Sequence, residues 1–483
     1  MNNNMRSILL ASALFVTGTA CTRHILDATP AASLSDATAF STSDKILAGV
    51  NNLYSQVQSA SYYGGRYIIF NEQRGDEFSQ NDGNNSTGAN VWNQSITGSG
   101  DFVNAVWTAA YAAINSANLI IKNLASTTVI SDSLRKNYVA EAKFIRAFNY
   151  FNLVQTYARP YAQDKSASAL PLRLTPSTTG GDNSFAFSSV ADVYTQILAD
   201  LNDAETDLPA SYATALLTVS RAHKASAIAL KTRVYLVQGN YASVITEAAK
   251  LVPASAPYTY TAGTLTHKLE ANIATVFGGS YTGGEAIFFL PFVNPSEAPG
   301  NQAALAYNYL YPILPLNAAG IASDPVFGAA STDARKTALT KTNASNQLLL
   351  NKFTKNVVPY NDYIPVIRYA EVLLNYAEAA ASQGDNGKAI ALLQAVRQRS
   401  DASYVFGATS LDPANLVGTI LNERRIELLG EGFRTPDLFR RVQTLPAKTG
   451  NAGTAPAILP TASNYVWPIP SGELAYNPLA PKS

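Results

Sequence analysis

The side chains that most often carry out catalysis are few and scattered in this sequence. Its three histidines, His24, His223 and His267, are widely separated, so a triad or a metal site would need distant segments to converge. The chain contains no HExxH, P-loop, GxSxG or GxGxxG motif. Ser133 and Lys136 have the S-x-x-K spacing, but we interpret them as the start of a polar helix. We therefore expect neither a metal nor a cofactor.

Two adjacent acids, Asp76 and Glu77, could suggest hydrolysis of a glycosidic bond. That reaction needs one carboxyl group on each side of the scissile bond, and neighbours in sequence seldom adopt this arrangement. We therefore expect a protein that is not an enzyme.

Aromatic residues among polar ones favour binding instead. Sugar rings are recognised by aromatic faces on which they stack and by a few polar groups that orient their hydroxyls. Residues 72–100 form a polar, glycine-containing run that holds one tryptophan, and three tyrosines cluster in a second loop-like region that could face it. We predict a ligand site that comprises Arg74, Asp76, Trp92, Asn93, Tyr307, Tyr309 and Tyr311.

Trp92 is the predicted sugar-stacking platform, because Trp107 lies on a helical apolar stripe and Trp467 lies between Val466 and Pro468. The alternative for Trp92 is packing within the core of its own loop. For Arg74 and Asp76 the alternative is a local salt bridge.

The charge balance excludes some partners. Lys plus Arg number 35 and Asp plus Glu 34, which gives a formal net charge of +1, so no global field would hold nucleic acid. Charged residues make up 14 %, below the roughly 25 % that is typical of soluble domains. Such a weakly charged, polar surface suits an extracytoplasmic protein that handles neutral ligands.

The N-terminus has the layout of a lipoprotein signal. An apolar run from Ile8 to Val16 and small residues from Thr17 to Ala20 precede Cys21, the one cysteine of the sequence. We predict a signal peptide over residues 1–20, lipidation of Cys21, a tether over 21–42 and a single body over 43–483. The alternative is an ordinary signal peptide with an incidental cysteine, and Gly18 departs from the leucine usual at its position.

The densest charge in the chain lies in the stretch from Asn422 to Val442, which we call the C-terminal anchor. Its apolar spacing predicts a helix, a turn at Gly430 and Gly432, and a second helix. Glu427 and Arg434 are predicted members of a buried ion network between packed helices. A solvated charged face is the alternative.

Two further segments each predict a helical hairpin of the tetratricopeptide type, residues 226–252 and 368–399, with glycine-containing turns at 238–241 and 383–386. Apolar stripes predict two more helices, over 101–121 and 140–158. Between the hairpins, residues 253–365 lack helical periodicity. We predict long ordered loops there, with a short strand at Ala286–Leu290.

Several segments of the sequence, taken together, resemble one family. They are Trp107 to Asn118, Ala140–Ala147 (AEAKFIRA), Arg368–Ala379 (RYAEVLLNYAEA), the C-terminal anchor and Trp467–Pro470 (WPIP). The resemblance is to the SusD/RagB-like outer-membrane nutrient-binding lipoproteins. It implies a mostly α fold, in which tetratricopeptide-like helical hairpins form a scaffold that carries long ordered loops and a few short strands.

The resemblance also implies a function. The protein would be anchored by lipid in the outer membrane, facing the exterior, and would capture an oligosaccharide for a SusC-like TonB-dependent transporter. A peptide-binding subunit of such an importer and a purely structural lid for the transporter are the alternatives.

Overall fold

The computed structural model describes residues 36–177, 183–263, 265–408 and 415–481. The predicted signal peptide, Cys21 and residues 21–35 of the predicted tether lie outside the described residues. The chain divides into two units, residues 1–47 and 48–483. In the first unit the Lys45 ammonium donates a hydrogen bond to the carbonyl of Thr38 (3.1 Å).

The architecture is mostly helical, as predicted. The helices of the described chain are α1 (Asp36–Ala39), α2 (Ser43–Val57), α3 (Arg66–Arg74), α4 (Ala89–Trp92), α5 (Asp101–Leu124), α6 (Asp132–Tyr157), α7 (Val190–Asp207), α8 (Ala215–Ser220), α9 (Lys224–Val237), α10 (Tyr241–Ala248), α11 (Ile273–Gly278), α12 (Leu305–Leu310), α13 (Ala334–Leu339), α14 (Tyr369–Ser382), α15 (Asn386–Ser400), α16 (Leu416–Glu427), α17 (Arg434–Arg440) and α18 (Ser471–Tyr476). Among the described residues, no helix is both long and apolar enough to cross a membrane.

The strands are short and pair antiparallel in two-stranded sheets. The pairs are β1 (Ser168–Pro171) with β2 (Phe187–Ser189), β3 (Tyr260–Ala262) with β4 (Leu265–His267), β5 (Ala286–Leu290) with β8 (Ile364–Arg368), β6 (Thr340–Thr342) with β7 (Leu348–Leu350), and β9 (Lys448–Gly450) with β10 (Gly453–Ala455). The predicted strand at Ala286–Leu290 is β5, and all of its residues are buried.

The two predicted hairpins form and pack side by side. Helices α9 and α10 turn at Gly239 (φ +69°), and α14 and α15 turn at Gly384 (φ +84°), a left-handed backbone that favours glycine. Helix α10 lies against α14, and Leu236, Val244 and Ala379 form an apolar cluster among α9, α10 and α14. Segments more than 100 residues apart in sequence therefore build one scaffold.

Helix α6 is the centre of a second layer, between α5 and α7. Its aromatic face is buried, with the Phe144 ring edge-on to Phe288 of β5 (5.4 Å between ring centroids). On the side facing α7, the Arg146 guanidinium is paired with Asp200 (2.7 Å).

The C-terminal anchor folds as the predicted helix, turn and helix, with α16, left-handed glycines at 430 and 432, and α17. Glu427 has no exposed surface and accepts from Arg335 of α13 (3.0 Å), Arg368 of β8 (2.9 Å) and Arg399 of α15 (2.5 Å). Burial alone would raise the pKa of Glu427, but these guanidiniums hold it well below its usual range. The buried network is confirmed at Glu427, and the solvated-face alternative is wrong.

Residues 253–365 carry more helix than the sequence predicts. Helices α11, α12 and α13 lie there and span six residues each. A helix of fewer than two turns shows no apolar period, so sequence periodicity cannot reveal it.

Candidate ligand-binding face

Tyr307 and Tyr311 place two aromatic rings together on the surface at α12 and the residue that follows it. The ring centroids are 4.8 Å apart and the ring planes are tilted by 35°. Residues four apart lie on the same side of a helix, which explains the pairing. Tyr311 is 42 % exposed and Tyr307 half-buried, while the buried Tyr360 meets the Tyr307 ring edge-on at 6.0 Å. We call this the tyrosine pair.

Tyr309 faces the interior instead. Its ring stacks on Phe78 (5.0 Å, 19°), and its hydroxyl donates to the carbonyl of Gly430 (3.2 Å). Positions two apart on a helix point to different sides, so Tyr309 cannot share the surface of its neighbours. A ring with no exposed surface cannot contact a ligand, and we remove Tyr309 from the candidate site.

A network of side-chain amides lies next to the tyrosine pair. The Asn81 Nδ2 donates to the carbonyl of Pro312, the residue after Tyr311 (2.6 Å), and to Gln347 Oε1 (3.1 Å). The exposed Asn451 donates to Asn81 Oδ1 (3.1 Å), and Asn343 donates to Gln347 Oε1 (3.0 Å). A primary amide carries both hydrogen-bond donors and an acceptor, so this network can donate hydrogen bonds to ligand hydroxyl groups or accept hydrogen bonds from them.

Backbone hydrogen bonds hold the amide network beside the tyrosine pair. The amide of Ser79 donates to the carbonyl of Pro315 (2.9 Å), and the amide of Asn81 donates to that of Ile313 (3.0 Å). Residues 79–81 therefore run antiparallel to residues 313–315 and bring one loop-like region of the sequence against the other. The two regions meet through these backbone hydrogen bonds and through the stacking of Tyr309 on Phe78.

Trp92 is buried and is not a platform. Its indole has no exposed surface, its Nε1 donates to the carbonyl of Phe78 (3.0 Å), and the Lys448 ammonium lies 5.2 Å from the ring centroid. The alternative interpretation is the right one: the ring forms the core of its own loop. We remove Trp92 from the candidate site.

The other predicted residues of the 72–100 run also have structural partners. Arg74 is buried and donates to Gln94 Oε1 (3.1 Å) and to the carbonyl of Asn464 (2.9 Å), so its partners among the described residues are neutral groups and not an acid. Asn93 is half-buried, and its Oδ1 accepts from the Ser95 amide (3.1 Å).

Asp76 forms a salt bridge that links the run to the C-terminal anchor. Arg434 Nε donates to Asp76 Oδ1 (2.6 Å) and also contacts Glu77 (3.1 Å). Burial would raise the pKa of Asp76, but the hydrogen bond and charge of Arg434 and the charge of Arg425 lower it. Arg434 is thus a network member, as predicted, although its acids come from a distant part of the chain.

Two of the histidines converge, contrary to the sequence expectation. His223 and His267 are buried, with their Nε2 atoms 3.4 Å apart. Burial lowers the pKa of His223 to about 3 and that of His267 to about 4, so both are neutral near pH 7. In the described part of the chain, no group of three or more His, Cys, Asp or Glu side chains is arranged to hold a metal.

Sequence reasoning missed Tyr360 and the amides of Asn81, Asn343, Gln347 and Asn451. Asn81 lies in the run already singled out for its polar composition, so that signal was available. The other four join the face through tertiary contacts that span up to 370 positions of sequence, and no local pattern indicates such contacts.

Two family models match the chain. One, described as SusD family, matches residues 334–480, and the other, described as starch-binding associating with outer membrane, matches residues 25–236.

Relatives extend the likeness over nearly the whole chain. SusD-like protein P2 of Formosa agariphila is 25 % identical, over 94 % of this chain and 94 % of its own. A laminarin-binding SusD-like protein of solved structure has the same fold, with a TM-score of 0.70 at 23 % identity over 90 % of this chain and 98 % of its own. A SusD superfamily protein from Bacteroides fragilis has a TM-score of 0.81 and is 30 % identical, over 92 % of this chain and 100 % of its own. The chain therefore belongs to the SusD/RagB family.

Proposed function

We propose that this protein binds an oligosaccharide at the tyrosine pair and the amides beside it, and that it does so without a chemical reaction. The observation that carries the proposal is the tyrosine pair, whose Tyr311 ring is exposed, at a point where the Asn81 amide network reaches the surface. Aromatic faces contact the C–H faces of sugar rings, while amides bind their hydroxyls. The starch-binding family description and the laminarin-binding relative support this ligand class.

The proposed lipid anchor and the delivery of the ligand to a transporter are inferred from the family resemblance. Cys21 would carry the lipid that anchors the protein in the outer membrane, facing the exterior, and the bound glycan would pass to a SusC-like TonB-dependent transporter. Each buried acyl methylene is worth about 0.8 kcal/mol, so several chains anchor a protein stably where one binds marginally. Cys21→Ser should leave the membrane fraction, and a variant that still sediments with membranes would contradict the anchor.

Affinity electrophoresis tests the binding. Gels containing laminarin, soluble starch or other polysaccharides identify a retarding glycan, and Tyr311→Ala is then compared with Tyr476→Ala, which removes a tyrosine 79 % exposed outside the proposed site. Loss of 1 to 2 kcal/mol at one ring weakens binding about 5- to 30-fold. We expect Tyr311→Ala to lose most of the retardation and Tyr476→Ala to keep it.

The same screen separates the alternatives. Retention of peptides but of no glycan would indicate the peptide-binding subunit. A chain that binds neither glycan nor peptide, yet copurifies with the transporter, would indicate the structural lid.

A further inference from the structure

A cavity of about 270 Å³ lies against the C-terminal anchor, between α16, α17 and the segment 72–77. We call it the anchor cavity. It approaches the roughly 300 Å³ at which ligand pockets begin and has room for about nine waters at ~30 Å³ each. Its lining includes none of the residues that form the tyrosine pair or the amide network.

Two buried carboxyl groups line this cavity with unmet hydrogen-bonding capacity. Glu72 and Glu77 are each 1 % exposed. One oxygen of Glu72 accepts from the Gly432 amide (2.7 Å), and one oxygen of Glu77 accepts from Arg425 (2.5 Å). The second oxygen of each has no hydrogen-bond partner among the described residues. A buried polar atom without a partner costs free energy, so an occupant that supplies hydrogen bonds would be stabilised there.

The surrounding charges restrict what that occupant can be. Four guanidiniums also line the cavity, those of Arg424, Arg425, Arg434 and Arg441. Each is paired with an acid, Arg441 most loosely, at 3.7 Å from Glu378. Because each of these arginines is already paired with an acid, a charged ligand would lose its hydration without gaining an unpaired counter-charge from them. A neutral ligand avoids this cost.

The rest of the lining includes apolar side chains of α16 and of the residues that follow it. Leu421 of α16 and Phe433, just before α17, contribute surface beside the carboxyl groups. A pyranose or a sugar alcohol presents C–H groups to such a surface and hydroxyls to the polar side. Because a hydroxyl both donates and accepts, it satisfies a carboxyl oxygen in either protonation state.

We infer that the anchor cavity is a second binding site, for a neutral polyhydroxylated molecule about the size of one sugar ring. Its hydroxyls would bond the free oxygens of Glu72 and Glu77, and its carbon face would pack on Leu421 and Phe433. The anchor cavity shares no residue with the tyrosine pair, so its test is independent of glycan retention at that pair.

The test is a titration of the purified mature protein with glucose, galactose, mannose and xylitol, followed by saturation-transfer NMR and by the melting temperature. Polyols stabilise proteins in general because they are excluded from the surface, and that effect does not saturate. Specific binding adds a saturable rise. Leu421→Trp fills the cavity, and Tyr476→Ala is the matched surface control.

We expect at least one of the four probes to give a saturable signal in the wild type and in Tyr476→Ala. The signal should disappear in Leu421→Trp and weaken at least tenfold in Glu72→Leu, which removes the polar group that the ligand hydroxyls would bond. If Leu421→Trp does not fold, the Glu72 variant alone tests the proposal. The proposal is overturned if none of the probes saturates, or if the signal survives unchanged in either folded cavity variant.

Discussion

The C-terminal anchor and the run of residues 72–100 are both polar in sequence, yet sequence reasoning succeeded for one and failed for the other. In the anchor, apolar residues at helical spacing indicated packed helices, and the acids between them are buried in ion pairs. In the run, composition alone suggested an exposed loop, and its tryptophan is buried. The difference teaches that periodicity reports which side of an element is buried, whereas composition does not.

Two buried glutamates, one in each region, differ in the charged groups that surround them. Glu427 in the anchor contacts three arginines, which lower its pKa. Glu72, equally buried, has no ion pair among the described residues, and burial together with the negative charge of Glu77 raises its pKa to about 8. Burial is common to both, so the charged partners determine whether a buried carboxyl is ionised near pH 7.

The largest expected effect is at Glu427. Removing one partner of a buried ion network costs on the order of 3 to 5 kcal/mol, because the remaining charges stay buried without compensation. Glu427→Ala should therefore lower the free energy of unfolding by about that amount, measured by urea denaturation. Asp132→Ala, which removes an exposed acid paired with Arg135, is the control and should change stability within error. Equal stabilities for the two variants would contradict a stabilising role for this buried network.

Trp92→Ala should be similarly damaging to the fold. Truncating a buried tryptophan costs about 3 to 5 kcal/mol, and here the carbonyl of Phe78 also loses its donor. We expect early thermal unfolding, whereas Tyr311→Ala, which truncates an exposed ring, should melt close to the wild type. A Trp92→Ala protein of normal stability would show that the ring is not core.

Glu72 gives a smaller effect that depends on pH. Its pKa of about 8 in the folded state exceeds the usual value of 4.5, so the folded state binds the extra proton. The associated stability is present below pH 4.5 and is lost as the pH rises towards 8, at about 1.4 kcal/mol per pH unit.

Glu72→Gln removes this titration. Its stability relative to the wild type should therefore increase between pH 5 and 8, measured by denaturation at matched ionic strength. The other titratable groups are the same in both proteins, so their contributions cancel in the difference between the two stabilities. A difference independent of pH would mean that Glu72 is ionised in the folded state.

Much of the fold follows from sequence, and little of the candidate site does. The hairpins at 226–252 and 368–399 carry their own turns and apolar stripes, so each is a local property of the chain. The amide network depends on residues 79–81 pairing with 313–315, which no local pattern specifies. Tyr307, Tyr309 and Tyr311 were predicted as one aromatic cluster in a region without helical periodicity, and the short helix α12 separates the buried Tyr309 from the other two.

The central claim is that the ligand site is the tyrosine pair and that the loop around Trp92 is structural. The most direct measurement compares Tyr307→Ala/Tyr311→Ala with the wild type, by dissociation constant for the retarding glycan and by melting temperature. The account predicts binding at least 30-fold weaker, from about 2 kcal/mol or more over two rings, with a nearly unchanged melting temperature. Undiminished affinity in a normally folded double variant would contradict it.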